Sequence, residues 1–254
     1  FSDIRGFTKI SEQYKQDPEA LTDLINRLLT TLSNEILECE GTIDKYMGDC
    51  IMAFWNAPAS QDNHAELAIK AGVNMRKALK ELNDELVGEG KLAMEIGIGI
   101  NTGDCIVGNM GSDKRFDYTV LGDAVNLAAR LEGQSGTYGV SIVLGEETAK
   151  KMPDFKLIEL DLIAVKGKSE PVRIYTYLSE LHIDEVAKLK EPHKAMLAKY
   201  RQQNWDEAER YLLKAKVQAP ELEKYYQYFQ ERINQFRIQP PRFDWNGVNV
   251  ATTK

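Results

Sequence analysis

From Pro18 onward the apolar residues Leu21, Leu24, Ile25, Leu28, Leu29, Leu32, Ile36 and Leu37 recur at intervals of three and four. That spacing stacks side chains on one face of an α-helix, and a proline suits a first helical turn, so an amphipathic helix is predicted over 18–40. Its stripe belongs to a core. A second long helix is predicted over 62–86, closed by Gly88 and Gly90. Residues 93–101 change period: Met94, Ile96, Ile98 and Ile100 alternate with Glu95, Gly97, Gly99 and Asn101, the mark of a strand. Between the helices, two β-rich runs at 42–47 and 50–55 flank Gly48 and Asp49, which predicts a hairpin with Asp49 at its tip or edge. The chain opens on what reads as the end of a buried strand, turning at Gly6 into a helix near Phe7 and Thr8. Further on come a strand at 105–109, a polar loop at 111–115, a helix at 122–134, and short strands near 141–144, 155–165 and 172–178.

Strands and helices interleave with hairpins, which predicts an α+β fold: a ferredoxin-like βαββαβ sheet with helices on one face. From residue 179 the chain turns to helix formers rich in Lys, Glu, Gln and Tyr. Within it Trp205, Ala208, Leu212, Ala215 and Pro220 fall at the offsets of the second helix of a tetratricopeptide repeat (TPR). The expected organisation is a main domain over 1–178, a linker over 179–192, and a small helical TPR-like extension over 193–254 whose tail is irregular. One such repeat cannot bury its own face, so it must lean on the main domain, another subunit or chain outside this sequence.

Composition narrows the choices. With 254 residues, 43% hydrophobic and 28% charged, the chain is long enough for a full globular core. A net charge of −7 argues against a general footprint for nucleic acid or anionic membrane, so phosphate binding must be local. Cys39, Cys50 and Cys105 match neither a disulfide framework nor a zinc site. They predict a reducing, cytoplasmic setting and packing roles, buried or half-buried. No apolar run reaches the length of a membrane span. Because the sequence opens without Met inside a strand, it is expected to continue a longer protein, with a sensor or membrane region ahead of it.

Candidate chemistry sits at three places. Asp3 and Asp49 each lie at a strand end beside a glycine; a lone aspartate there is ordinarily a turn residue, but two hard carboxylates suit Mg²⁺. The backbone N–H groups of Gly6, Phe7 and Thr8 open a helix, where anions bind. Asn126 and Arg130, four apart, share a helix face.

Three segments in this order, Phe1-Ser2-Asp3-Ile4-Arg5-Gly6-Phe7-Thr8, Lys45 to Trp55, and Gly122-Asp123-Ala124-Val125-Asn126-Leu127-Ala128-Ala129-Arg130, together resemble the class III adenylate and guanylate cyclase catalytic domain, bacterial type. The resemblance covers about residues 1–178. It implies that Asp3 and Asp49 bridge two divalent ions, Mg²⁺ or Mn²⁺, with the Ile4 carbonyl as a further ligand. The reaction that the resemblance implies is in-line attack of the ribose 3′-hydroxyl of ATP on the α-phosphorus, with pyrophosphate leaving. Gly6, Phe7 and Thr8 would hold the β- and γ-phosphates, Asn126 would orient the ribose, and Arg130 would stabilise charge on the transferring phosphate. Lys166, in Ala164-Val165-Lys166-Gly167-Lys168, matches the family's C-terminal phosphate-binding lysine, and Arg115 is a further candidate for the triphosphate. Lys45 and Thr119 stand where the family reads the base. Lys donates to adenine N1 and a Thr hydroxyl can accept from the 6-amino group, whereas guanine calls for a carboxylate, so the pair favours ATP. In the family each site forms across two domains, and this chain carries both halves, so a homodimer is expected. Two alternatives stay open: a guanylate cyclase, and a cyclase-like domain that only binds nucleotide as a regulatory module.

Overall fold

The computed structural model of the chain describes residues 1–153, 156–165 and 170–250. The backbone divides into two compact units, Phe1–Glu132 and Gly133–Lys254. The first unit runs β1 (Ser2–Ile4), α1 (Phe7–Gln13), α2 (Pro18–Glu38), β2 (Thr42–Met47), β3 (Cys50–Phe54), α3 (His64–Gly88), β4 (Ile96–Ile100), β5 (Ile106–Ser112) and β6 (Arg115–Leu121), and ends within α4 (Asp123–Thr137). Strand β1 pairs antiparallel with β4 on one side and β3 on the other, and β3 pairs with β2. The neighbour order is therefore β4-β1-β3-β2, a mixed α+β arrangement of the βαββαβ kind.

Register sorts the strand residues by face. Ser2 stands opposite both Ile51 and Ile98, and Ile4 opposite Ile96. Since side chains alternate along a strand, Ile4, Ile51, Ile96 and Ile98 share one face, and all four are buried. The buried stripes Leu24, Leu28, Leu32 and Ile36 of α2 and Met75, Leu79, Leu82 and Leu86 of α3 complete this core, with the two helices packed together. Each such side chain contributes about 1.5–3 kcal/mol when fully buried. Asp17 begins α2 by accepting a hydrogen bond from the Ala20 N–H at 3.0 Å, and Pro18 fills the first turn.

The other face carries Asp3, Gly97 and Gly99. Here the expectation of helices on one face needs correction. It holds for α2 and α3, but α4 lies across the opposite face: a Cβ on Gly99 would stand 2.3 Å from the Ala128 carbonyl oxygen and 2.2 Å from the Glu132 nitrogen. The absence of a side chain at Gly99 lets the α4 backbone approach the sheet, and so sets the position of Asn126 and Arg130. A second correction concerns residues 111–115. They are not a loop but the end of a β-hairpin, paired from Ile106↔Leu121 to Ser112↔Arg115. Most of this hairpin is exposed, so no buried face marks it in the sequence.

The second unit contains the rest of α4, then β7 (Ile142–Gly145), α5 (Glu146–Lys150), β8 (Leu157–Ala164), β9 (Val172–Tyr177), α6 (Ile183–Arg201), α7 (Trp205–Gln218), a 3-10 turn (Pro220–Leu222), α8 (Glu223–Ile238) and β10 (Asn249–Val250). Strand β9 pairs antiparallel with β7 and β8, and β10 adds to β8 in parallel. Most of the stretch expected as a linker at 179–192 is helical, because a capping box starts α6: the His182 N–H donates to Glu185 Oε2 at 2.7 Å. Among the described residues no helix is long and apolar enough to cross a membrane.

Polar groups fasten the C-terminal helices to β8. Asp161, fully buried, accepts from Tyr138 Oη at 2.8 Å and from Arg232 Nη1 at 2.6 Å. His193 on α6 lies between the Glu159 carbonyl, 2.7 Å from Nε2, and the Tyr226 hydroxyl, 3.0 Å from Nδ1. A carbonyl can only accept, so Nε2 carries the proton, and Nδ1 of the neutral ring accepts from Tyr226. Burial pushes the His193 pKa down from 6.5 to about 4. A histidine with a depressed pKa binds fewer protons folded than unfolded. Its stabilising contribution is full above pH 6.5 and is lost as pH falls towards 4, by roughly 3 kcal/mol in all. Urea unfolding of the parent and of His193→Gln at pH 7 and pH 4.5 is expected to show the smaller acid loss in the variant. Equal losses would contradict this assignment.

Candidate active site

Strand β1 ends where the chain must turn, and Gly6 takes the turn at φ +67°, in the left-handed region glycine tolerates. The β2–β3 hairpin turns in the same way at Gly48, φ +68°. These two turns bring Asp3 and Asp49 together: the Ile4 N–H donates to Asp3 Oδ1 at 3.0 Å and to Asp49 Oδ2 at 3.3 Å. Partial burial, with the neighbouring Asp3 carboxylate behind it, pushes Asp49 up to about 6. Two carboxylates converging on one N–H are a donor set that suits a divalent ion. The described residues gather no group of three or more His, Cys, Asp or Glu side chains that could hold a metal. Asp3 and Asp49 are the two carboxylates that the turns bring together.

Beyond Gly6, Phe7 and Thr8 occupy the first turn of α1, where backbone N–H groups have no intrahelical acceptor. Glu132 on α4 also faces the aspartates: burial, followed by the charge of Asp3, holds its carboxyl above the usual range. Arg130 lies two positions earlier on α4, roughly 200° around the helix. Asn126 shares the Arg130 side. The guanidinium Nη1 of Arg130 is buried and has no hydrogen-bond partner among the described residues. Within one copy the carboxylate pair and the Asn126–Arg130 pair therefore lie towards different sides of α4.

Lys45 and Thr119, 74 positions apart, meet through a residue the sequence reading passed over. Asp44, its side chain fully buried, stands 3.1 Å from Lys45 Nζ and accepts from Thr119 Oγ1 at 2.5 Å and from the Val120 N–H at 3.3 Å. The available signal was an aspartate inside a strand, where that residue is depleted.

Two other candidates are not brought to this cluster. Arg115 opens β6 at the far end of the hairpin, highly exposed and 3.8 Å from Asp117, so it belongs to a strand and not to a loop before α4. Lys166 lies outside the described residues. Among the cysteines, Cys39 is buried and Cys50 half-buried as expected, but Cys105 is exposed. Its place just ahead of β5 keeps it outside the core. The Cys39 and Cys50 thiols are pushed up chiefly by burial, Cys50 to about 11, which disfavours a thiolate nucleophile.

Comparison with known proteins places these features. The profile of the adenylate and guanylate cyclase catalytic domain matches residues 1–179. An adenylate cyclase of Anabaena cylindrica is 37% identical over 183 residues, 69% of this chain and 35% of that protein. Adenylate cyclase 1 of Rhizobium meliloti is 33% identical over 176 residues, 69% of this chain and 26% of that protein. The chain thus spans about a third or less of the length of these relatives. Among solved structures, the adenylyl cyclase CyaB from P. aeruginosa is similar with a TM-score of 0.66 and 42% identity, covering 71% of this chain and 92% of that one. The guanylyl cyclase Cya2 is similar with a TM-score of 0.61 and 35% identity, covering 71% and 92%.

Proposed function

The chain belongs to the adenylate and guanylate cyclase catalytic domain family, and from that premise we propose that it converts ATP to 3′,5′-cyclic AMP and pyrophosphate at sites shared by two copies. The observation that carries the choice of substrate is the pairing of Lys45 and Thr119 through Asp44. Similarity alone does not decide it, since both adenylyl and guanylyl cyclases resemble the chain.

In this reading Asp3, Asp49 and the Ile4 carbonyl hold two divalent ions, Mg²⁺ or Mn²⁺. When bound, such ions lower the pKa of the attacking 3′-hydroxyl and neutralise the triphosphate. The first-turn N–H groups at Gly6, Phe7 and Thr8 receive the outer phosphates. Asn126 orients the ribose, and Arg130 places its positive charge where negative charge grows on the transferring phosphate. Lys166 remains a candidate for the triphosphate by its sequence register alone. Arg115 likewise remains a candidate by its sequence position alone, exposed on the β5–β6 hairpin.

Two observations favour a homodimer. The carboxylates and Arg130 lie towards different sides of α4, so one nucleotide reaches both most simply when they come from different copies. The β5–β6 hairpin and the neighbouring end of β2 also expose Ile106, Phe116, Tyr118, Leu121, Tyr46 and Met47, with Ile106 71% and Phe116 65% accessible. Apolar exposure on that scale marks an interaction surface. We read the helices after residue 182 as an extension with one TPR-like hairpin, α6–α7. In support, Ala208, Leu212 and Ala215 are buried along one face of α7, which packs on α6. The catalytic domain is read as a part of a longer signalling protein.

The test is to measure kcat/KM for ATP and GTP side by side with Mg²⁺ and Mn²⁺. ATP is expected to be preferred by at least about a hundredfold, because donors and acceptors mismatch the other base. A preference for GTP would overturn the substrate assignment.

A further inference from the structure

Asp44 places a fully buried carboxylate in the middle of β2. Its Oδ2 accepts two hydrogen bonds, from Thr119 Oγ1 at 2.5 Å and from the Val120 N–H at 3.3 Å. Its Oδ1 is buried without a hydrogen bond among the described residues and faces the Lys45 ammonium at 3.1 Å. A carboxylate can only accept, so the single hydroxyl proton of Thr119 is committed to Asp44. What Thr119 then offers to any other group is lone pairs alone.

We infer that Asp44 is the positioning residue that fixes base choice, by making Thr119 an obligate acceptor and holding the Lys45 ammonium beside it as the matching donor. This rests on the reading that Lys45 and Thr119 face the base. Adenine presents an amino donor and the N1 acceptor to such a pair, and both are satisfied. Guanine presents O6 in place of the amino group and N1–H in place of the bare nitrogen, so acceptor meets acceptor and donor meets donor. A threonine free of Asp44 could rotate its proton towards O6 and accept guanine. With that proton held, the adaptability of the hydroxyl is gone, and discrimination arises from polar groups left unpaired by the wrong base. Asp44 itself need not touch the nucleotide.

A carboxylate that merely stitched β2 to β6 would make a different prediction, because its loss would harm both substrates alike. The experiment therefore reads the ratio of kcat/KM for ATP to that for GTP in the parent, Asp44→Ala, Asp44→Asn, Thr119→Val and the double variant Asp44→Ala/Thr119→Val. In Asp44→Ala the ratio is expected to fall by at least about tenfold, with kcat/KM lowered for ATP and held or raised for GTP, since the Thr119 proton is freed to turn towards O6. Asp44→Asn keeps an oxygen that Val120 and Thr119 can donate to and turns an amide towards Lys45. Its ratio is expected to fall by at least about threefold, less than in the alanine variant. Should the alanine variant not fold, the near-isosteric asparagine variant decides. In the Thr119→Val background the Asp44→Ala change is expected to move the ratio by less than about threefold, because both changes remove the same hydrogen bond. A parallel loss for ATP and GTP that leaves the ratio within about twofold of the parent, or full additivity in the double variant, overturns the inference. If the parent prefers GTP, the base assignment and this inference fall together; if it prefers ATP and the ratio does not move, only this inference falls.

Discussion

Replacing Asp49 with alanine is expected to lower cyclase turnover by about a thousandfold or more, with the fold retained, because about 4 kcal/mol of charge stabilisation corresponds to that factor. The reason lies in what surrounds the side chain. Asp49 is held at the Gly48 turn with its carboxylate aimed at the Ile4 N–H beside Asp3, so removing it deletes half of the carboxylate pair. Structurally the change is mild. Asp49 is half-buried and its nearest charged neighbour is another carboxylate; without a cation the two repel, and the variant should melt at or above the temperature of the parent. Steady-state turnover with a thermal melt separates the two effects. Activity within about tenfold of the parent would remove Asp49 from the metal site.

Arg130→Ala is expected to reduce kcat by about 10²–10³-fold, the usual cost of removing a preorganised donor from a developing oxyanion. The buried Nη1 of Arg130 has no hydrogen-bond partner among the described residues. A guanidinium poised in this way pairs with charge that is largest in the transition state, so the loss should fall on kcat more than on KM. A raised KM with unchanged kcat would instead make Arg130 a ground-state phosphate ligand.

Much of the fold was legible because the elements have one wet and one dry face. The helix predicted at 18–40 and the strand at 93–101 are found as Pro18–Glu38 and Ile96–Ile100. The glycines at 97 and 99 signal a close backbone approach, but nothing in the sequence says which helix approaches. The α4 crossing at Gly99 is a tertiary fact. Strand β6 was passed over although Phe116, Tyr118 and Val120 alternate with Arg115, Asp117 and Thr119. Gly111 and the charged residues at 113–115 imitate a loop, and Leu121 interrupts the alternation. The start of α6 was hidden by His182, which is not among the usual N-cap residues, and by Pro192, through which the helix continues.

The candidate site divides along the same line. Asp3, Asp49, Asn126 and Arg130 stand in runs whose residue types are telling, and the structure brings the two aspartates together, while helix periodicity turns Arg130 away from Glu132 on α4. Asp44 carries only a weak signal in the sequence, because a polar residue on a strand reads as solvent-facing. Only the pairing of β2 with β3 and the approach of β6 show that it points inward, to Lys45 and Thr119. Glu132 was missed for a similar reason: on a helical wheel it is an ordinary surface glutamate, and only the seating of α4 on the sheet gives it a place beside Asp3.

The central claim is that one chain carries two halves of a cyclase site that are joined only in a pair of copies. It is tested most directly by mixing Asp49→Ala chains with Arg130→Ala chains and measuring cyclic AMP formed from ATP. Each variant alone has every site defective. Random pairing in an equal mixture makes half the dimers mixed, and each mixed dimer has one intact site of two, so activity should return to about a quarter of the parent's. Activity no greater than the sum of the separate variants, with mixed dimers shown to form, would contradict the shared site.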